Sequence, residues 1–144
     1  MTDPVRGLGE MARVVVPGGV VAASVWDHAG GKGPLATFWS VARSLDPSAP
    51  DESGLPGVVE GHLAQLFAAA GLTDVDSSSL TVRVEHPTFD DWWDPFTLGV
   101  GPAGAYVAGL DDAARDALRE RCRAVLPPGP FCTDATAWTA LARA

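Results

Sequence analysis

Pro17-Gly18-Gly19-Val20-Val21-Ala22-Ala23-Ser24-Val25-Trp26 is the stretch that decides how this chain folds. Proline lacks the amide donor that a helix interior needs, and glycine loses more freedom than any other residue when ordered, so the Pro-Gly-Gly triplet ends whatever helix precedes it. The seven residues after it are apolar apart from Ser24 and do not alternate with polar ones. A run of that kind reads as a strand buried on both faces, which predicts a parallel sheet in an α/β protein.

Upstream, Asp3-Pro4 is a helix start, with aspartate as cap and proline at the first helical position. Val5, Leu8, Met11, Ala12 and Val15 follow at helical spacing. Gly7 and Gly9 weaken that helix by up to ~1 kcal/mol each relative to alanine, so packing must hold it. Downstream, Asp27 to Gly33 is a glycine-rich loop. Pro34 then opens a helix with Leu35, Phe38, Trp39, Ala42 and Leu45 on one stripe. A Pro/Ser/acidic loop from Asp46 to Val58 leads to the clearest helix, where Leu63, Leu66, Phe67 and Ala70 repeat with helical period. Gly71 is placed for a left-handed cap, and Leu72 for a contact back onto Phe67.

A strand region begins at Val75, where Leu80, Val82 and Val84 alternate with Thr81, Arg83 and Glu85, predicting one buried and one wet face. The Trp-rich segment Phe89 to Phe96 runs into a flexible Gly99 to Gly104. Asp111 caps a helix with Ala114, Leu118, Cys122 and Val125 facing inward, and with Asp112–Arg115, Asp116–Arg119 and Glu120–Arg123 paired on its wet side. Phe131 to Ala142 is a short closing strand. The element order is α, β, α, α, β, helical insertion, β.

Composition narrows the function. The chain has 144 residues, a net charge of −8 and a 47% hydrophobic share, enough for one packed core and too apolar for a disordered segment. A polyanion-binding role is excluded, because the chain repels phosphate backbones and holds one lysine, Lys32. Two cysteines, Cys122 and Cys132, build neither a disulfide framework nor a paired zinc motif. The longest apolar run is far short of the ~20 residues that span a bilayer, and no signal-like region follows the acidic N-terminus. These features predict a cytoplasmic protein with neither a nucleic acid nor a membrane as partner.

Glu10-Met11-Ala12-Arg13-Val14, then Pro17-Gly18-Gly19 and the strand to Trp26, resembles the class I S-adenosylmethionine-dependent methyltransferases. In that family a helix ending in such a turn feeds the fifth strand of a Rossmann-like sheet. Ala70-Gly71-Leu72-Thr73-Asp74-Val75 looks like the family's entry to strand six. Phe131 to Ala142 would then be strand seven, antiparallel between five and six, and Phe89 to Leu126 lies where relatives place a lid over the methyl acceptor. The resemblance covers nearly the whole chain, but only the family's C-terminal half. The implied organisation is a single incomplete domain over 1–144, with a partial sheet from 1–86 and 131–144 and a helical lid-like insertion over 87–130.

The cofactor half is absent: no glycine loop follows a first strand, and no acid stands ready for the ribose. Gly30-Gly31-Lys32-Gly33 follows the wrong strand and has no acid at the expected spacing. The resemblance therefore implies a methyltransferase for a small-molecule acceptor that depends on S-adenosylmethionine in its full-length relatives. This chain alone is expected to bind no cofactor, to be inactive and to hold no metal. The alternative is a non-enzymatic truncated module that oligomerises, or pairs with a chain supplying the missing half, at the apolar edge of Val20 to Trp26.

Acceptor-lining candidates are Trp26, Asp27 and His28 at the carboxyl end of the first strand, and Trp92, Trp93, Phe96 and Tyr106 as an aromatic wall. For the aromatics, ordinary core packing is the competing reading. Asp90, Asp91 and Asp94 read as a solvated face with a helix cap, and His62 as an exposed helix residue. No catalytic residue is assigned. Methyl transfer from an activated sulfonium requires positioning and at most one base.

Overall fold

The Asp3 carboxylate accepts the Arg6 amide at 2.9 Å, and Pro4 opens α1 (Pro4–Val14) as its sequence predicts. The computed structural model describes residues 2–144, and Met1 lies outside them. After α1 come β1 (Val20–Trp26), α2 (Ala36–Leu45), α3 (His62–Ala69), β2 (Thr73–His86) and α4 (Phe89–Trp93). A 3-10 turn (Asp94–Leu98), α5 (Gly101–Gly109), α6 (Asp112–Val125) and β3 (Phe131–Arg143) complete the chain. Among the described residues the fold is therefore mixed α/β, with six α-helices and one three-stranded sheet.

The strand order is β1-β3-β2, so the last strand lies between the other two. β3 runs antiparallel to β1, from Val20 opposite Arg143 to Trp26 opposite Ala137. Bonds from Ser78 to Thr139 and from Thr81 to Thr136 hold β2 against β3 in the same opposed sense. No two neighbouring strands run parallel, which corrects the parallel sheet inferred from the apolar run.

That run is also not buried on both faces. Val21 is 2% exposed, but Val20 is 55% and Trp26 39% exposed. The reason is geometric. β1 is a margin strand with α1 and α3 packed on one face only, so burial alternates although the residue types do not. In β2 the alternation is present but the expected buried face is not. Leu80, Val82 and Val84 are all exposed, because neither hydrophobic core reaches that face; of β2 only Val75 packs against one.

The chain divides into two compact units. The first comprises Met1–Gly33, Glu52–Val82 and Ala135–Ala144, and the second Pro34–Asp51 and Arg83–Asp134. In the first, Leu8 of α1, Leu63 and Phe67 of α3, Val21 of β1 and Ala140 and Ala142 of β3 form the core. Gly71, at φ +83°, closes α3 in a Schellman turn: its amide donates to Ala68 and the Leu72 amide to Phe67.

The second unit is built on an aromatic core of Phe38, Trp39, Phe89, Trp92 and Trp93, with Leu118, Cys122 and Phe131. Thr88 and Asp91 cap α4 reciprocally, each side chain taking the other's backbone amide. The Gly-rich stretch expected to be flexible is the start of α5, with Pro102 in its first turn. Gly104 must be glycine, since a Cβ there would sit 2.8 Å from the Gly99 carbonyl carbon. In α6 only Leu118 and Cys122 are buried. Ala114 and Val125, expected to face inward, are exposed because the core reaches only the middle of the helix. Asp112–Arg115 and Glu120–Arg123 pair as read, at 2.8 and 3.6 Å. Arg119 instead joins Arg123 on Asp90, at 2.7 and 3.2 Å.

Candidate functional site

The carboxyl end of β1 turns into a loop that its own residues hold shut. Asp27 is 2% exposed, and its carboxylate accepts the Gly30 amide at 2.7 Å. Its amide donates to the Thr136 carbonyl and its carbonyl accepts the Lys32 amide, both at 2.9 Å. A Cβ on Gly30 would meet the Asp27 carboxylate oxygens at 2.5 Å, so the glycine lets backbone and acid close together. Asp27 thus organises the loop rather than facing a ligand. His28 is half-buried beside Gly33, and Trp26 keeps part of its indole in solvent.

Trp26 and His28 stand at one end of an apolar cleft of about 590 Å³. Its walls are Pro4, Leu8 and Met11 of α1, Ala23 to Trp26 of β1, Leu63 and Leu66 of α3, and the connecting residues Leu55, Pro56 and Val58. That volume lies in the ~300–1,000 Å³ range of sites that enclose organic ligands or large side chains. Leu55 to Val58 were read as part of a polar loop and missed. Their signal was an apolar cluster inside an acidic and Pro/Ser-rich stretch, with Gly57 at φ +88° laying backbone against the Val25 methyl. His62, read as an exposed helix residue, is half-buried, and its Nδ1 accepts the Gly57 amide at 3.3 Å, tethering the same segment.

Beside this cleft runs the free margin of β1. The Asp27 amide bonds Thr136 of β3 and the Gly19 carbonyl bonds Ala144 just past its end, and backbone direction alternates along a strand. The odd-numbered residues therefore face β3, while the amides of Val20, Ala22, Ser24 and Trp26 point outward. Among the described residues nothing pairs with those four amides. An unsatisfied row of this kind is a template for another extended chain.

The aromatic candidates occupy the second unit. Trp92 and Trp93 are 5% and 2% exposed and pack in its core, with Phe96 half-buried and its ring centroid 4.6 Å from that of Phe38. The Tyr106 hydroxyl donates to Asp46 Oδ2 at 3.2 Å. Burial, and then the Asp46 carboxylate, raise the Tyr106 pKa, while hydrogen bonds from Ser48 hold Asp46 below the usual carboxylate range. The structure therefore brings Trp26, Asp27 and His28 together in one unit, and Trp92, Trp93, Phe96 and Tyr106 together in the other.

The remaining reactive groups have structural partners or surroundings. Burial pushes the Cys122 thiol up to about 12, which keeps it protonated and unreactive, whereas Cys132 is exposed. His86 Nε2 bonds Thr133 at 2.9 Å, and its ring lies against Phe131. Asp90 and Asp91 are occupied by the arginine pair and the α4 cap, respectively. Among the described residues no three His, Cys, Asp or Glu side chains converge as metal ligands, and no helix is long and apolar enough to cross a membrane. No protein-family model matches the chain, and no curated protein matches it.

Proposed function

We propose that this chain is the C-terminal, acceptor-side part of a class I S-adenosylmethionine-dependent methyltransferase acting on a small molecule. One observation carries the reading: the final strand lies antiparallel between two strands that are each preceded by a helix. That is the arrangement expected of strands five, seven and six of the Rossmann-like sheet. On this reading Trp26 and His28 are the residues of this chain nearest the acceptor, with Trp26 supplying an apolar face and His28 an imidazole at the cleft's end.

The described residues do not fit the cofactor itself. Asp27, the acid at the carboxyl end of β1, is buried and bonded into its own loop, so it offers no carboxylate to a ribose. Cofactor binding then belongs to a part of the sheet that this chain does not supply. Two measurements test the reading. Genomic sequence upstream of the Met1 codon is expected to encode, in frame or in an adjacent gene, a strand, a glycine-rich loop and an acid ~20 residues further on. Its absence from both places overturns the reading. Calorimetry of the purified chain with S-adenosylmethionine is expected to give no heat of binding, and micromolar affinity would overturn the assignment of the cofactor to another segment.

A second reading, a non-enzymatic module that pairs with another chain, is favoured by the free margin of β1. Methyl transfer restored by the upstream segment would decide for the first reading. Stable association without transfer would decide for the second.

A further inference from the structure

We infer that β1 and the cleft beside it form a strand-capture site, and that the occupant is an extended segment of another polypeptide with long apolar side chains at two alternate positions. The inference deepens the pairing reading and rests on it, and stands whether or not the partner brings methyl-transfer chemistry. Two independent features converge. The outward amides of Val20, Ala22, Ser24 and Trp26, with the carbonyls of Val20, Ala22 and Ser24, supply the hydrogen-bonding row that accepts an added strand. The cleft supplies the side-chain specificity. Ala23 and Val25 point to the face packed by α1 and α3, and both line the cleft. Alternate residues of a strand laid along β1 share that face, so two of its side chains reach the cleft residues that keep exposed surface, Met11, Leu55 and Pro56.

The dimensions select the occupant. A second copy of this chain would pair β1 with β1 and present Val21, Ala23 and Val25 on the cleft face. Those side chains already pack in their own core and are too short to fill about 590 Å³. Two copies at −8 each would also repel. A separate segment with leucine-sized residues two apart fills the cleft, and basic flanks complement the acidic chain.

The test uses the full chain with a fluorescein-labelled peptide of alternating leucine and threonine, seven residues long to match β1 and flanked by lysines. Anisotropy is expected to show saturable binding. Replacing the leucines by alanine should weaken it about tenfold or more, and N-methylating the peptide backbone should abolish it. Hydrogen exchange should slow at Val20, Ala22, Ser24 and Trp26 and stay unchanged at Val21, Ala23 and Val25. Ser24→Pro removes an outward amide while leaving the β1–β3 ladder intact, and should abolish binding with protection of the odd-numbered amides retained. The N-methylated peptide makes the same point without altering the protein. Binding that ignores N-methylation overturns the inference as mere apolar adsorption. Absence of peptide binding, with the four amides instead protected by concentration-dependent self-association, overturns it in favour of a second copy and leaves the pairing reading alive. A monomer at every concentration, with no peptide bound and no protection, ends both.

Discussion

The two units of this molecule solve the same packing problem to different degrees. In the second, α2, α4, α5 and α6 surround an aromatic core in which Phe38 and Cys122 are fully buried and Trp93 nearly so, with Asp90 bonded to two arginines and Asp91 to the α4 cap. In the first, α1 and α3 cover one face of the sheet, while Val20, Leu80, Val82 and Leu141 stay exposed and β1 keeps an open margin. Helices satisfy their backbone internally, so a helical unit is finished once its stripe is covered. A strand needs a neighbour on each side, so a sheet is unfinished wherever it stops. Unmet bonding capacity is concentrated in the first unit, and so is the candidate site.

The strongest way to break this contrast is to empty each core in turn. Phe38→Ala and Phe67→Ala, both at fully buried positions, should each cost about 3–5 kcal/mol in urea unfolding. Exchange protection should fall first in the unit that carries the substitution. Equal loss throughout the chain from either variant would mean that the units do not differ in self-sufficiency. Gly30→Ala should cost about 1–3 kcal/mol by forcing a methyl onto the Asp27 carboxylate, and should open the β1 loop with loss of protection at the Lys32 amide. Asp111→Ala removes the cap on the Ala114 amide and should cost about 1 kcal/mol in the same unfolding assay.

Smaller effects sharpen the comparison. Leu80→Thr and Val82→Thr, on the uncovered sheet, should shift stability by no more than about 0.5 kcal/mol while raising the concentration at which light scattering first detects aggregates. The smallest effect is electrostatic. Arg83 holds the Asp134 carboxyl below the usual carboxylate range, so the folded state binds that proton less readily than the unfolded chain. The stabilisation is therefore complete above the ordinary aspartate pKa and is lost as the pH falls through the lowered value. Asp134→Asn should lower the neutral plateau of a stability–pH curve slightly and leave its acid end almost unchanged, which flattens the acid limb.

How much was legible in the sequence varied with the range of the interaction that decides each feature. The α1 cap, the α3 Schellman turn and the α6 start were readable because each depends on residues within one helical turn. The burial of Val20 to Trp26 was misread because residue type reports what a strand tolerates, not how many neighbours it has. Leu80, Val82 and Val84 failed for the same reason: alternation marks two faces without saying which is covered. Trp26 and His28, named from their place at a strand end, line the cleft. Leu55, Pro56 and Val58 were not named, because a cleft wall assembled from a loop has no period.

What the sequence determined alone was the succession of elements, the caps that bound them and the acidic, unspanning character of the chain, all set by local sterics and composition. Tertiary structure decided which strand lies in the middle, which apolar residues remain in water and where a cleft opens beside β1. Those depend on pairings between residues as far apart as Val20 and Arg143, and only the assembled sheet fixes which backbone groups are left over.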